Sequence, residues 1–224
     1  MGLLALSALI LMGSGFILMR NNLGTVLKPG IKKIEGLFLE LEQAIPYNQN
    51  DLAPLGEINI ELLSANDLKG VAKSKISGIE TGVMATLFNE PGIAYALKKF
   101  GAKDFRAMVA AKDKHHIYRF LFKSDEIEIV IDNQALGVFL KEEKELKGIR
   151  TGATLAQLKD HPSQGLSLFI QGKEMVLFPK DIFKNSKSLN NRAFVVLNQA
   201  ITLEEQATIL AFSMMLFWLE KWKL

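Results

Sequence analysis

The spacing of apolar positions changes along this chain, and each change marks a different kind of element. Residues 2–19 (GLLALSALILMGSGFILM) carry no charge and no polar face. A helix of that length rises about 27 Å, close to the roughly 30 Å of a bilayer core. The run therefore reads as a transmembrane anchor over residues 1–20. A cleaved signal peptide fits less well, since it needs a basic stretch before the apolar run and a small-x-small site after it. Arg20, Lys28, Lys32 and Lys33 all follow the segment, and nothing basic precedes it. The positive-inside rule then predicts a single-pass membrane protein whose C-terminal domain is cytoplasmic.

After the Pro29-Gly30 break the period becomes helical. Ile31, Ile34, Leu37, Phe38, Leu41 and Ile45 share one face, with Lys32, Lys33, Glu35, Glu40 and Glu42 on the other. That pattern predicts an amphipathic helix from about Gly30 to Ala44, stopped by Pro46. Packing on the domain, or forming a stalk, is the first reading. Lying on a membrane surface is the second, weakened by acids that outnumber the lysines. Residues 47–55 (YNQNDLAPL) form a polar linker, so 21–55 make a helix-and-linker segment and 56–224 the domain.

Beyond the linker the period is two. Ile58, Ile60 and Leu62 alternate with Glu57, Asn59 and Glu61; Ile127, Ile129 and Ile131 follow the same rule, and 135–140 answers across Asp132-Asn133-Gln134. Such alternation predicts half-buried antiparallel strands and tight turns. Further strands are expected at 70–75, 82–88, 93–99, 105–111, 117–123, 166–171, 175–178 and 194–197, and one short helical turn at 154–159. Thr202 and Glu205 form a capping box for a helix over 203–222. Its centre, residues 207–219, is apolar on every face, but at about 20 Å it is short for a membrane span. A helix of that kind belongs inside a protein core, with a second membrane span as the alternative. The predicted fold is mainly β: a closed antiparallel barrel of about twelve strands around a buried hydrophobic C-terminal helix.

The tail, residues 190–220 (NNRAFVVLNQAITLEEQATILAFSMMLFWLE), resembles the ending of the tubby-like superfamily, which includes the phospholipid scramblases and the LURP-one-related proteins. Phe194 and the run Phe217-Trp218-Leu219-Glu220 occupy matching places. The resemblance implies a barrel around its last helix and a non-enzymatic module working at a membrane. It does not imply calcium-dependent lipid movement. Asn190, Asn191, Asn198 and Gln199 stand where scramblases have acids, and amides are poor ligands for a hard cation.

Charge and composition narrow the partners. The chain has 224 residues, a net charge of +3 and no cysteine. The mild charge argues against nucleic acid. The lack of cysteine removes disulfides, thiolate chemistry and Cys-ligated zinc. The one local bias is basic: Lys98, Lys99, Lys103, Arg106, Lys112, Lys114 and Arg119, against Asp104 and Asp113 alone. These cations are the expected contacts to anionic phospholipid headgroups, and the competing reading is a solvated hairpin face. His115-His116 cannot share one metal if both lie on a strand, because neighbours there point to opposite faces. No P-loop, nucleophile elbow or calcium loop is legible, so no catalytic residue, metal or cofactor is assigned. The expected function is lipid-headgroup binding, followed by protein docking within a membrane complex, and then by an enzyme with an unrecognised site.

Overall fold

The computed structural model describes residues 31–56, 60–67, 75–76, 78–102, 105–161, 165–180, 191–198 and 200–224. The anchor expected over residues 1–20 lies outside them, as do most of the strand expected at 70–75 and Lys103. Helix α1 spans Ile31–Ala44 and is followed by a 3₁₀ turn at Gln49–Asp51. A second 3₁₀ turn, Ile60–Leu62, leads into β1 (Leu63–Asp67), so the strand expected at Ile58 to Leu62 is displaced toward the C-terminus. Then come β2 (Lys75–Ile76), β3 (Ile79–Thr86), β4 (Pro91–Ala102), β5 (Phe105–Lys112), β6 (Ile117–Phe122) and β7 (Glu126–Ile131). They are followed by β8 (Gln134–Leu140), β9 (Glu145–Lys147), β10 (Thr154–His161), β11 (Gly165–Ile170), β12 (Lys173–Pro179) and β13 (Val195–Val196). Helix α2 spans Leu203–Trp222.

Residues 154–159, expected as a helical turn, belong to β10. Ala156 and Leu158 enter the core while Gln157 and Lys159 face away, and the strand pairs β9 on one side and β11 on the other. Pairing on both edges overrides the helix-forming Leu-Ala-Gln-Leu-Lys composition. Two hairpins turn on residues with positive φ, Asp132-Asn133 (49° and 64°) and Gln171-Gly172 (49° and 80°), as a type I′ turn demands.

All the described strands join one antiparallel sheet. Its path runs β1-β3-β4-β5-β6-β7-β8-β9-β10-β11-β12-β13, and β2 pairs with β3 off that path. The expected closed barrel is corrected: the path has two ends, and β1 and β13 form no ladder. One isolated bridge, Ser64 to Arg192, links β1 to the chain before β13, with Ala65 N donating to Asn191 O at 2.9 Å and Ala193 N to Leu63 O at 2.8 Å. The physical reason is short edges. β13 has two residues, and the register of β1 slips between Leu63 and Asp67. The Glu61 side chain substitutes for the missing ladder, accepting from Val196 N at 3.0 Å and from Arg192 Nη1 at 3.1 Å.

One face of this sheet packs on α2. Trp218 lies edge-on to Phe120 (5.0 Å between centroids) and Tyr95 (5.7 Å), and Phe212 meets Phe139 at 5.6 Å. Ala207, Ile209 to Met215, Phe217 and Trp218 are all buried, which explains a helix with no polar face along its centre. Among the described residues no helix is long and apolar enough to cross a membrane. That finding corrects the second-span alternative, and it cuts the predicted single-pass placement with a cytoplasmic domain back to the same statement: no described helix can span, and residues 1–20 lie outside those described. Glu204, Glu205, Glu220 and Lys221 crowd the ends of α2, and its apolar surface is spent on the sheet.

The opposite face of β3 to β6 is covered by α1. Ile34, Phe38, Leu41 and Ile45 pack on Ile79, Val83, Ala94, Ala96, Met108, Ala110 and Leu121. Strands buried on both faces need no alternation, which is why IAYAL in β4 and MVAA in β5 are apolar throughout. Thus the amphipathic helix is seated on the domain. Its linker is fastened too: Leu52 is buried, Ala53 N donates to Pro91 O at 2.8 Å, and Gln49 Nε2 donates to Asp113 O at 3.3 Å.

Candidate anion-binding site

Antiparallel strands give the sheet two ends. At the entry end α2 begins, with Gln206 Nε2 donating to Leu55 O, beside the turns β3–β4, β5–β6 and β7–β8. At the exit end α2 finishes, with Lys221 paired to Asp67, near the turns β4–β5, β6–β7 and β8–β9. The basic residues singled out in the sequence divide between these ends. Arg106 and Lys112 are six residues apart on β5, which is about 20 Å of strand. Lys98, Lys99 and Arg106 stand toward the exit end, and Lys112 and Lys114 toward the entry end.

Two of the cations pair with α1, and a third, Lys112, stands beside them. Lys98 Nζ is 3.5 Å from Glu40 Oε2, and Arg119 Nε donates to Glu42 Oε1 at 2.5 Å while its guanidinium lies 5.7 Å from the Phe38 ring centroid. Burial lowers the Lys112 pKa, against the raising effect of Glu42 and Asp51. Cross-strand register explains the grouping: Ala96, Ala110 and Arg119 lie level across β4, β5 and β6, and Lys98 and Lys112 stand on the rungs either side of it, on the α1 face. These residues are the rim on which α1 sits.

At the exit end a smaller group remains. Arg106 is exposed and makes no ion pair among the described residues. It precedes Ala107, the partner of Phe122, and so stands beside Lys123. Lys123 is neutralised by Glu126 Oε1 at 2.5 Å and by Glu128. Lys141, just after β8, donates from Nζ to Lys123 O at 2.8 Å and from its backbone N to Asp125 O at 3.0 Å. Burial and then the nearby Arg106 charge lower the Lys141 pKa, and Asp125 opposes them. Arg106 and Lys141 are thus both placed against Lys123, at the start of the β6–β7 turn, and an anion at that turn would favour the charged form of both. Sequence reasoning missed Lys141 because three strands separate it from Arg106, and only the fold brings them together.

The histidine pair has a structural duty. His115 N and His116 N donate to Asp113 Oδ1 at 2.6 and 2.7 Å, and His116 Nδ1 lies 2.6 Å from Asp132 Oδ2. Among the described residues no group of three or more His, Asp or Glu could hold a metal. Asn198, one of the amides standing where scramblases have acids, closes its own turn by accepting from Ala200 N at 3.1 Å.

Compared with known proteins, the chain matches no family model, and no curated protein or solved structure shows significant similarity to it.

Proposed function

We propose that the protein is a non-catalytic binding module that takes the phosphate groups of an anionic lipid surface at the exit end of its sheet. The observation that carries this reading is the placing of Arg106 and Lys141 on the two sides of Lys123, with no carboxylate paired to Arg106 among the described residues. Lys99 stands at the same end but, level with Ala107, on the opposite face of the sheet from Arg106. The resemblance of residues 190–220 to the tubby-like ending supports a headgroup ligand. This proposed site differs from the one expected from sequence, since Lys98 is engaged with α1, Lys112 and Lys114 stand toward the other end, and Lys141 joins.

Flotation of the purified full chain with neutral and anionic vesicles, at low and high salt, tests the proposal. Binding should favour anionic vesicles and weaken with salt. At about 1 kcal/mol per cation near the surface, Arg106→Gln with Lys141→Gln should lower affinity about thirty-fold. Equal flotation with both vesicles, or a double variant that floats like the parent, would reject it. A protein partner is the second reading, favoured by Phe88, Leu197 and Leu203, which are 70%, 47% and 66% exposed at the entry end.

A further inference from the structure

The seat beneath α1 has the chemistry of a binding surface. Its floor is small and apolar, made by Ala94, Ala96 and Ala110, with Met108 and Leu121 alongside. Its rim is cationic, with Lys98 on β4, Lys112 on β5 and Arg119 on β6. An anionic, partly apolar boundary is the complement of such a surface, and α1 imitates it with Phe38 and Leu41 facing in and Glu40 and Glu42 on the flank. The attachment of α1 is separable from that of its linker. Pro46, Tyr47 and Asn48 lie between the helix and the 3₁₀ turn, and beyond them Gln49, buried Leu52 and Ala53 are held to β4 and the β5–β6 turn. These hydrogen bonds would hold the linker if the helix, together with Tyr47 from the edge of the same apolar cluster, swung away at 46–48.

We infer that α1 is a displaceable, self-supplied occupant that masks a second row of anion-binding cations, Lys98, Lys112 and Arg119, and that an anionic lipid surface competes with Glu40 and Glu42 for them. This inference rests on the anionic-lipid reading above and adds its regulation. In the closed state only the exit-end group is offered. On an anionic surface Lys98 and Arg119 exchange their carboxylates for phosphate, Lys112 gains one, and the headgroup boundary covers the apolar floor as α1 did. The shift is possible only because the surface engages the open state with more cations than the closed one.

The absence of cysteine from the chain makes the test direct. Ala96→Cys places the sole thiol on the floor beneath α1, and Ala107→Cys places one on the α2 face of the same sheet; both positions are fully buried. With full-chain protein, anionic vesicles should speed labelling of Cys at 96 several-fold, leave Cys at 107 protected, and neutral vesicles should change neither. In parallel, Glu40→Gln with Glu42→Gln should tighten binding to anionic vesicles by about five-fold for each cation released. Glu90→Gln with Glu174→Gln, exposed acids at the entry end, controls for net charge and should gain less.

Vesicle-bound protein whose Cys at 96 stays protected would overturn the inference and leave the exit-end site standing. Labelling at both positions would mean general loosening and would also overturn it. A parent chain that ignores anionic vesicles while the Glu40/Glu42 variant binds them would support masking. Failure of both to bind would end this inference and the proposed function together.

Discussion

Gly82 and Tyr95 face each other across β3 and β4, and the Tyr95 hydroxyl occupies the space a side chain on Gly82 would need. From there it donates to Asp67 Oδ1 at 3.1 Å and lies 3.4 Å from Lys221 Nζ, which also pairs with Asp67 and sits 4.5 Å over the Phe217 ring. Burial, then Asp67, push the Tyr95 pKa well up, so the hydroxyl remains a donor. This cluster fastens the last turn of α2 to β1 and β4. Gly82→Ala should cost about 1–3 kcal/mol, as overpacking does. In a Tyr95→Ala background most of that cost should vanish, and urea denaturation of the four proteins in the cycle measures the difference. A Gly82→Ala variant as stable as the parent would show that Tyr95 does not need the gap.

At the other end of the sheet Asp113 is 2% exposed and fully engaged. Beside the two histidine N–H groups on Oδ1, the Tyr118 hydroxyl donates to Oδ2 at 2.8 Å, and burial with the Asp113 charge raises the Tyr118 pKa. Asp113→Ala would strand three donors, one of them a buried hydroxyl, and should lower stability by about 3 kcal/mol or more. Asp113→Asn keeps an acceptor and should lose less. Thermal melts of both variants decide it: equal losses would mean that the side chain acts by volume alone.

The pair Glu42–Arg119 links α1 to β6 with both side chains largely out of water, at 21% and 14% exposure. Glu42→Gln leaves a half-buried guanidinium without its carboxylate and should cost about 1.5–3 kcal/mol. Arg119→Met should cost less when made on Glu42→Gln than on the parent, because breaking one partner strands the other. A coupling energy near zero in that double-mutant cycle would show that apolar contacts alone hold α1.

Periodicity made the two helices legible. The one-sided spacing of Ile34, Phe38, Leu41 and Ile45 describes α1, and the all-round apolar centre after Thr202 describes a helix enclosed by protein. Period two located β7 and β8, which are covered by α2 on one face and polar on part of the other. It could not locate β10, whose register comes from β9 and β11, or β1, whose pairing follows a 3₁₀ turn. That the sheet stays open was not legible either, since no pattern announces edges joined by the Glu61 side chain and an isolated bridge in place of a ladder. For the candidate site the cation-rich stretch was visible, but its division between two ends, and the capture of Lys98 and Arg119 by α1, depend on cross-strand register and a helix docked from far upstream.

Lys141 offers a test with a defined sign. Burial and Arg106 lower its pKa from the ordinary lysine value of 10.5. Below the lowered value the folded chain carries the full penalty of the buried charge. Between the lowered value and 10.5 the unfolded chain holds a proton that the fold has released, so stability rises with pH across that window. An anion between Arg106 and Lys141 works against the shift, because it favours the charged ammonium, and its binding takes up a proton in the same window. Affinity for anionic vesicles should therefore be level near neutrality and fall as pH climbs toward 10.5. Lys141→Arg keeps its charge throughout and should hold its affinity at pH values where the parent has begun to lose it. Flotation across that range for the two proteins, in the same salt, reads the divergence. Profiles that fall together would assign the titration to other lysines and remove Lys141 from the site.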